Sequence, residues 1–179
     1  STKAKTFFKQ ALDAIHKPTI TCLRISDFNT SGLVGSREEY NSPWCNLTKS
    51  SGASDKSGSH GGSFGIGKFA PYACSALRTV FYSTSDKDGV CASQGVSRLT
   101  SFKNKRNEIT QGTGFYGNDK NSPMYKQYSL DPTYSRSAEN SGTDIYIAAF
   151  TGDSRWQHQM VASVLDGFLY AIYNGTLVV

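Results

Sequence analysis

The sequence predicts an α+β fold of two layers, in which helices cover one face of a largely antiparallel mixed sheet. Runs rich in β-branched and aromatic residues predict strands at 19–26, 78–84 and 143–150. The tripeptide Lys-Asp-Gly at 87–89 is typical of a hairpin turn, so consecutive strands are expected to run antiparallel. Apolar residues at helical spacing predict helices at 3–16 and 156–175.

The two longer helices lie near the ends of the chain. One face of the first carries four apolar residues, namely Phe7, Phe8, Leu12 and Ile15. Pro18 ends this helix because a proline disfavours the α conformation in the residue before it. The second helix stops at Asn174 and Gly175. It is expected to add one apolar face to the core: Trp156, Met160, Val161, Val164, Leu165, Phe168, Leu169 and Ile172.

The middle of the chain predicts one shorter helix and two polar segments. Residues 68–77 indicate a mostly buried helix with Pro71 in its first turn, where a missing N–H costs little. Residues 28–60 are polar and rich in turn formers, and a segment of this length without regular structure is usually functional or mobile. Residues 103–142 have a similar composition and are expected to hold one short strand.

Length and composition indicate a single domain, 1–179, and the chain is expected to be a fragment of a larger protein. The net charge of +5 suits an anionic ligand but does not distinguish nucleotides from nucleic acid. No apolar run reaches the ~20 residues of a membrane-spanning helix. The first residues lack the apolar core of a signal peptide, so a cytoplasmic location is expected. Cys22 and Cys74 lie in apolar segments and are expected to be buried free thiols.

The glycine-rich stretch GGSFGIGKFAP at 61–71 allows three interpretations. It fits the G-x-x-x-x-G-K of a P-loop, but Phe69 stands where a P-loop has a magnesium-ligating hydroxyl, and no strand leads into it. Its glycines can instead let backbone N–H groups approach phosphate oxygens, while Lys68 and a helix N-terminus add positive charge. The third interpretation is a turn that only begins a helix.

A second motif, DFNTSGL at 27–33, follows the first predicted strand. That strand is expected to be buried, and the Asp27 carboxylate at its end can accept a hydrogen bond from the exocyclic amine of adenine. A buried carboxylate has to be paired to be tolerated. The segment Ser-Gly-Thr-Asp at 141–144 opens the last strand and is expected to supply a hydroxyl to the same pocket. Residues 34–61 would then form a lid over the nucleotide.

These motifs, in this order, resemble those of the GHKL ATPases. That superfamily comprises the ATP-binding domains of gyrase B, MutL, the heat-shock-ninety chaperones, sensor histidine kinases and MORC proteins. The resemblance spans roughly residues 19–150. More narrowly, DFNTSGL followed by GGSFGIGKFAPYACSALRTVFYST resembles a bacterial branch of uncharacterised or genome-defence-associated proteins. The resemblance implies a Bergerat-type ATP-binding fold.

The resemblance also implies an ATP site built from both motifs, with Mg²⁺ arriving on the nucleotide. Asp27 would bind adenine, and the Thr143 hydroxyl would hold Asp27 and a bridging water. The first glycine motif would contribute Asn29, Thr30, Gly32 and Leu33. The phosphate-side loop would contribute Gly62, Phe64, Gly65, Ile66, Gly67 and Lys68. Asn29 stands where the family has a glycine, which is physically reasonable because Asn tolerates the left-handed backbone conformation.

The catalytic motif of the superfamily is not matched. GHKL ATPases carry E-x-x-x-N on a helix upstream of the adenine-binding carboxylate, where the glutamate activates water and the asparagine ligates magnesium. Here Thr6 stands in the glutamate position, and Gln10 with Leu-Asp-Ala at 12–14 gives only a weak similarity. The helix at 3–16 is therefore expected to be an amphipathic packing helix. The general base and metal ligand lie outside this chain or are absent, and the catalytic residues are unknown.

Three functions follow from these patterns. The favoured one is a nucleotide-dependent conformational switch whose partners are ATP or ADP and other domains of the same protein or a second copy, with slow hydrolysis in the full-length protein. The second is a nucleic-acid or protein interaction module with a structural glycine loop, suggested by Lys103, Lys105 and Arg106 and the tyrosines nearby. The third, a P-loop phosphotransferase, requires a parallel sheet.

Overall fold

A computed structural model describes residues 2–50, 66–130, 132–137 and 139–179. The described part of the chain contains four α-helices and five strands, and a 3₁₀ turn, Ile66–Phe69, leads into the third helix. In chain order the elements are α1 Thr2–Ile15, β1 Cys22–Ser26, α2 Pro43–Thr48, α3 Ala70–Ala73, β2 Thr79–Ser85, β3 Cys91–Arg98, β4 Thr113–Tyr116, β5 Gly142–Ala148 and α4 Trp156–Tyr173. The prediction of an α+β fold is confirmed.

The five strands form one sheet in the order β1-β5-β2-β3-β4. Every neighbouring pair is antiparallel, as the hairpin between β2 and β3 predicts. That hairpin turns where the Asp86 carboxylate accepts hydrogen bonds from the N–H groups of Asp88 and Val90, at 3.0 and 2.8 Å. Gly89 adopts the left-handed conformation there, with φ of +76°. An antiparallel sheet excludes the P-loop phosphotransferase, whose loop follows a parallel strand.

Side chains alternate between the two faces of the sheet. We call the side that carries Val80, Tyr82 and Val96 the core face, because these residues are buried together with Trp44 of α2 and Tyr72 of α3. We call the opposite side, which carries Ser83 and Asp144, the polar face. On the polar face Tyr128 stacks on Phe81 with ring centroids 5.1 Å apart, so the irregular segment after β4 covers it.

The helix α2 was not predicted, because residues 28–60 read as a polar loop. Ser42 caps the helix by accepting a hydrogen bond from the N–H of Cys45 at 3.1 Å, and Pro43 occupies the first turn. Both features are local turn chemistry within a polar stretch. The result is a six-residue helix whose Trp44 is fully buried in the core.

The helices α1 and α4 differ from α2 because they have no buried residues. The predicted core face of α4 is therefore wrong: Val161, Phe168 and Leu169 are exposed. Its predicted end is confirmed, since α4 stops at Asn174 and Gly175, which has φ of +69°. The structure does not show all helices on one face of the sheet.

The strand β1 lies at the edge of the sheet, so the prediction that it is a buried strand is wrong. In the described part of the chain β1 pairs with one strand, β5, and Ile25 is 43% exposed. Cys22 and Cys74 are free but exposed, not buried as predicted, because β1 is an edge strand and Cys74 ends the short α3. Among the described residues, no helix is both long and apolar enough to cross a membrane.

Candidate functional site

The DFNTSGL motif at 27–33 and the Ser-Gly-Thr-Asp segment at 141–144 are far apart in the sequence and meet at the end of β1. The Asp27 carboxylate accepts hydrogen bonds from the backbone N–H of Thr143 and, at 3.0 Å, from the Thr30 hydroxyl. The Asp27 N–H in turn donates to the Thr143 carbonyl at 3.0 Å. Asp27 is exposed, so water and these two donors stabilise its charge. The carboxylate therefore needs no buried partner.

Thr143 therefore contacts the Asp27 carboxylate through its main chain. Its hydroxyl lies 3.5 Å from the hydroxyl of Thr84, the neighbouring residue on β2. Thr84 is fully buried and also accepts a hydrogen bond from the N–H of Leu33 at 2.8 Å. Thr84 was missed by the sequence analysis because a threonine in a strand usually reflects β propensity alone.

The first glycine motif has the backbone conformations that its sequence suggests. Asn29 and Gly32 are both left-handed, with φ of +57° and +63°. A Cβ on Gly32 would lie 2.6 Å from the carbonyl oxygen of Ser85, so only glycine fits against β2 there. The Gly32 N–H donates to the Thr30 hydroxyl at 3.2 Å, which joins the motif to the Asp27 carboxylate. Ser141 closes the loop from the other side by donating to the Thr30 carbonyl at 2.6 Å.

A cleft of about 660 Å³ opens on the core face beside β1. One wall is formed by side chains of the sheet, Leu23, Ile25 and Ile147. The lining continues with Gly67 and with Ala70 and Pro71 of α3, and Trp156 and Met160 of α4 complete it. The volume is within the range of small-molecule sites, roughly 300–1,000 Å³. Neither Asp27 nor Lys68 lines the cleft, but Ile25, two positions before Asp27, and Gly67, next to Lys68, both do.

Lys68 lies next to a second cation that the sequence analysis missed. Its ammonium donates to the carbonyl of Asn46 at 3.0 Å. Burial, and then the charge of Arg98, lower the pKa of Lys68 below its ordinary value. The Arg98 guanidinium lies over the rings of Phe69 and Tyr72, 4.9 and 5.2 Å from their centroids. Two cations thus converge near the start of α3.

Part of the predicted site lies outside the described residues. This holds for Gly62, Phe64 and Gly65, and of Ile66 only the backbone is described. Within the expected lid, residues 34–50 are held to the core by Trp44 of α2, and the Trp44 N–H donates to the Val34 carbonyl at 3.1 Å. The remainder of the lid, 51–61, is likewise outside the described residues.

The helix α1 brings no carboxylate to the cleft. Thr6, in the position of the superfamily's glutamate, donates its hydroxyl to the carbonyl of Thr2 at 3.1 Å within its own helix, and Gln10 is exposed. The described residues contain no group of three His, Cys, Asp or Glu side chains that could hold a metal ion.

A buried ion pair beneath Asp27 was also missed. Asp144 of β5 lies on the polar face, where it accepts hydrogen bonds from Arg136, Ser26 and Arg24. Burial by itself would raise the pKa of Asp144, but the hydrogen bonds from Arg136, Ser26 and Arg24 outweigh it and hold that pKa below its ordinary value. The available signal was the alternation in TDIYIAAF, which places Asp144 and Tyr146 on the same face.

The chain matches no protein-family model, no curated protein and no solved structure.

Proposed function

We propose that this chain is an ATP-binding domain of GHKL type that acts as a nucleotide-dependent conformational switch. The proposal is carried by one arrangement. Asp27 is held by Thr143 two positions after Ile25, which lines the core-face cleft, and Gly67, next to Lys68, lines the same cleft. A carboxylate near one end and cations near the other suit the two ends of a purine nucleotide.

The carboxylate of Asp27 has acceptor positions left for a ligand. A carboxylate offers about four lone-pair positions, and the two protein hydrogen bonds use one on each oxygen. Adenine presents an exocyclic amine, which donates, whereas guanine presents a carbonyl oxygen at the corresponding ring position. Asp27 would therefore favour adenine over guanine.

The apolar wall of the cleft suits the faces of a purine ring. Leu23, Ile25 and Ile147 offer aliphatic surface, and Ile25 is on the same side of β1 as Asp27 because side chains alternate. Lys68 and Arg98 place positive charge near Gly67, where phosphates would approach. A nucleotide that binds one conformation of the chain more tightly would shift the population toward that conformation. Another domain or a second copy of the chain would respond to this shift.

Calorimetry with Mg-ADP and with a non-hydrolysable ATP analogue tests the proposal. Wild-type protein is expected to bind both, and Asp27→Ala should weaken binding about ten-fold or more because a hydrogen bond to a charged group is lost. Asp166→Ala is the matched control, since Asp166 is an exposed aspartate of α4 that lines no part of the cleft. No binding by wild type, or equal binding by Asp27→Ala, contradicts the proposal.

A second candidate function is supported by the hairpin at 102–110. Its backbone is ordered by Asn104, whose side-chain oxygen accepts hydrogen bonds from the N–H groups of Arg106 and Glu108 at 2.9 and 3.0 Å. It carries an exposed Phe102 beside Lys103, which suits stacking on a base and contact with a phosphate.

A salt-dependent gel shift with single-stranded DNA distinguishes the two candidates. Binding that is lost when Lys103, Lys105 and Arg106 are changed to alanine, and that is unaffected by Asp27→Ala, would favour a nucleic-acid module. Binding of ADP that depends on Asp27 would favour the nucleotide switch.

A further inference from the structure

The guanidinium of Arg136 lies beneath the main chain of Asp27. One of its terminal nitrogens, Nη2, donates to the Asp27 carbonyl at 2.6 Å and to the Thr143 carbonyl at 3.0 Å. The same nitrogen and Nε reach the two carboxylate oxygens of Asp144, at 3.0 and 2.7 Å. The Arg136 side chain is 1% exposed. A single buried cation therefore joins the carboxylate of β5 to the peptide that follows β1.

The surroundings of Arg136 fix its position. The Gln127 side chain accepts a hydrogen bond from the Arg136 N–H at 3.2 Å, and the guanidinium lies 4.4 Å from the centroid of the Phe28 ring. Gly142 is required beside it, because an added Cβ there would lie 2.7 Å from Arg136 Nη1 and closer still to the Asp27 carbonyl oxygen. The guanidinium is thus held from several sides and has little freedom to reorient.

Packing alone does not hold Asp27. The residue is exposed, it follows an edge strand, and its N–H is paired with a single partner, the Thr143 carbonyl. Hydrogen bonds that involve an ionised donor are roughly twice as strong as those between neutral groups. The contact from Arg136 is therefore the strongest restraint that the structure gives to the Asp27 carbonyl.

We infer that Arg136 is a positioning residue, which fixes the Asp27 peptide so that its carboxylate stays on the N–H of Thr143. The consequence for adenine selection rests on the proposed function. The orientation of the peptide is a property of the free protein and is testable without a ligand. Within the described part of the chain, no hydrogen bond of Arg136 goes to a residue that lines the cleft, so its expected route to the site is through Asp27 and Thr143.

Arg24 provides a matched control within the same cluster. It also pairs with Asp144, through Nε at 3.2 Å and Nη2 at 2.8 Å, and its Nη2 donates to the Tyr134 carbonyl at 3.3 Å. It makes no hydrogen bond to Asp27 or Thr143 in the described structure. Arg24→Met therefore weakens the ion cluster and leaves the restraint on Asp27 in place.

Amide hydrogen exchange of the free protein tests the inference. In Arg136→Met, the amides of Asp27 and Thr143 are expected to exchange roughly ten-fold faster or more, as the loss of a hydrogen bond to a charged group predicts. In Arg24→Met, both amides should stay within about two-fold of wild type. The amides of Val80 and Val96 serve as the reference for global stability, and both should keep their protection.

Two results would overturn the inference. The first is an unchanged exchange rate at Asp27 and Thr143 in Arg136→Met, and the second is an equal increase in Arg24→Met. If Arg136→Met does not fold, Arg136→Lys decides the question. A lysine keeps the charge beside Asp144, but its single nitrogen cannot occupy both the Nε position on Asp144 and the Nη2 position on the Asp27 carbonyl. The same local increase in exchange is then expected, and its absence overturns the inference.

The nucleotide measurement is made on the same variants. If wild type binds Mg-ADP, Arg136→Met should reduce the preference for ADP over GDP, and Arg24→Met should preserve it. If wild type binds no nucleotide, the proposed function fails, and the exchange rates still decide whether Arg136 positions Asp27.

Discussion

The two halves of the sheet are stabilised in different ways. In the central half, formed by β2 and β3, Val80 and Val96 are fully buried beneath Trp44 and Tyr72. In the edge half, formed by β1 and the start of β5, Asp27 is exposed and is held by hydrogen bonds from Thr30, Thr143 and Arg136. Apolar burial is non-directional, whereas hydrogen bonds fix orientation. The central half therefore supplies stability, and the edge half supplies a defined geometry at the candidate site.

The largest expected effect is on the central half. Trp44→Ala should lower the free energy of unfolding by about 3–5 kcal/mol, because the indole is fully buried and its removal leaves a cavity. Urea denaturation measures the change. Tyr40→Ala is the control, since Tyr40 is exposed in the same segment and should change the free energy by no more than about 0.5 kcal/mol. A loss below about 1 kcal/mol for Trp44→Ala would contradict the assignment of Trp44 to the core.

The next effect tests the fit of the glycine motif against β2. Gly32→Ala is expected to destabilise the protein by about 1–3 kcal/mol more than Gly89→Ala. Both glycines are left-handed, so the strain from the backbone is similar. Only at Gly32 would the new methyl group meet the main chain of Ser85, while at Gly89 nothing lies within 4 Å. Thermal unfolding of the two variants measures the difference, and equal effects would show that the contact with β2 does not matter.

A third effect appears only in acid and concerns the edge half. Because the pKa of Asp144 is lowered in the folded protein, its stabilising contribution is present above the pKa of an unfolded aspartate, about 3.9. That contribution is lost as the pH falls through the folded pKa. The stability advantage of wild type over Asp144→Asn should therefore be full near neutral pH and shrink below about pH 4. Denaturant titrations at a series of pH values measure it, and a constant advantage down to pH 2 would contradict the ion pair.

The smallest effect on stability is expected at the cleft. A Cβ on Gly67 would meet nothing within 4 Å, so Gly67→Ala should change the free energy of unfolding by less than about 0.5 kcal/mol. The methyl group would occupy space in the cleft, so the affinity for Mg-ADP should fall. Calorimetry compares it with Gly114→Ala, a β4 position that does not line the cleft and where a Cβ has only one contact, at 4.0 Å. Unchanged affinity in Gly67→Ala would place the nucleotide elsewhere.

Part of the edge half could be predicted from local sequence. The left-handed conformation of Asn29 follows from its residue type, and the end of β1 at Ser26 follows from the polar residues after it. The partnership of Asp27 and Thr143 was an expectation from the resemblance, with the Thr143 hydroxyl as the contact, and the structure brings the two residues together by pairing β1 with β5. The part played by the Thr143 main chain could not be predicted, because it depends on the register between the two strands.

The central half was less predictable for a different reason. Trp44 stands alone in a polar stretch, so no periodic pattern indicates α2.

The helix α4 is the opposite case. Its periodicity predicts a helix correctly, but periodicity does not say what covers a face, and in the described structure no residue of α4 is buried. In the edge half, no sequence pattern pairs Arg136 with Asp144, and only the fold places their side chains 2.7 Å apart.

The sequence by itself indicated the helices near the two ends of the chain, the strands and the turn between β2 and β3, since these depend on neighbouring residues and their backbone preferences. Only the tertiary structure decided that β1 is an edge strand, that Trp44 is a core residue, and that Arg136 lies under Asp27. Those facts depend on the register of strands that are distant in the chain. Register is fixed by the packing of whole faces, which no local pattern contains.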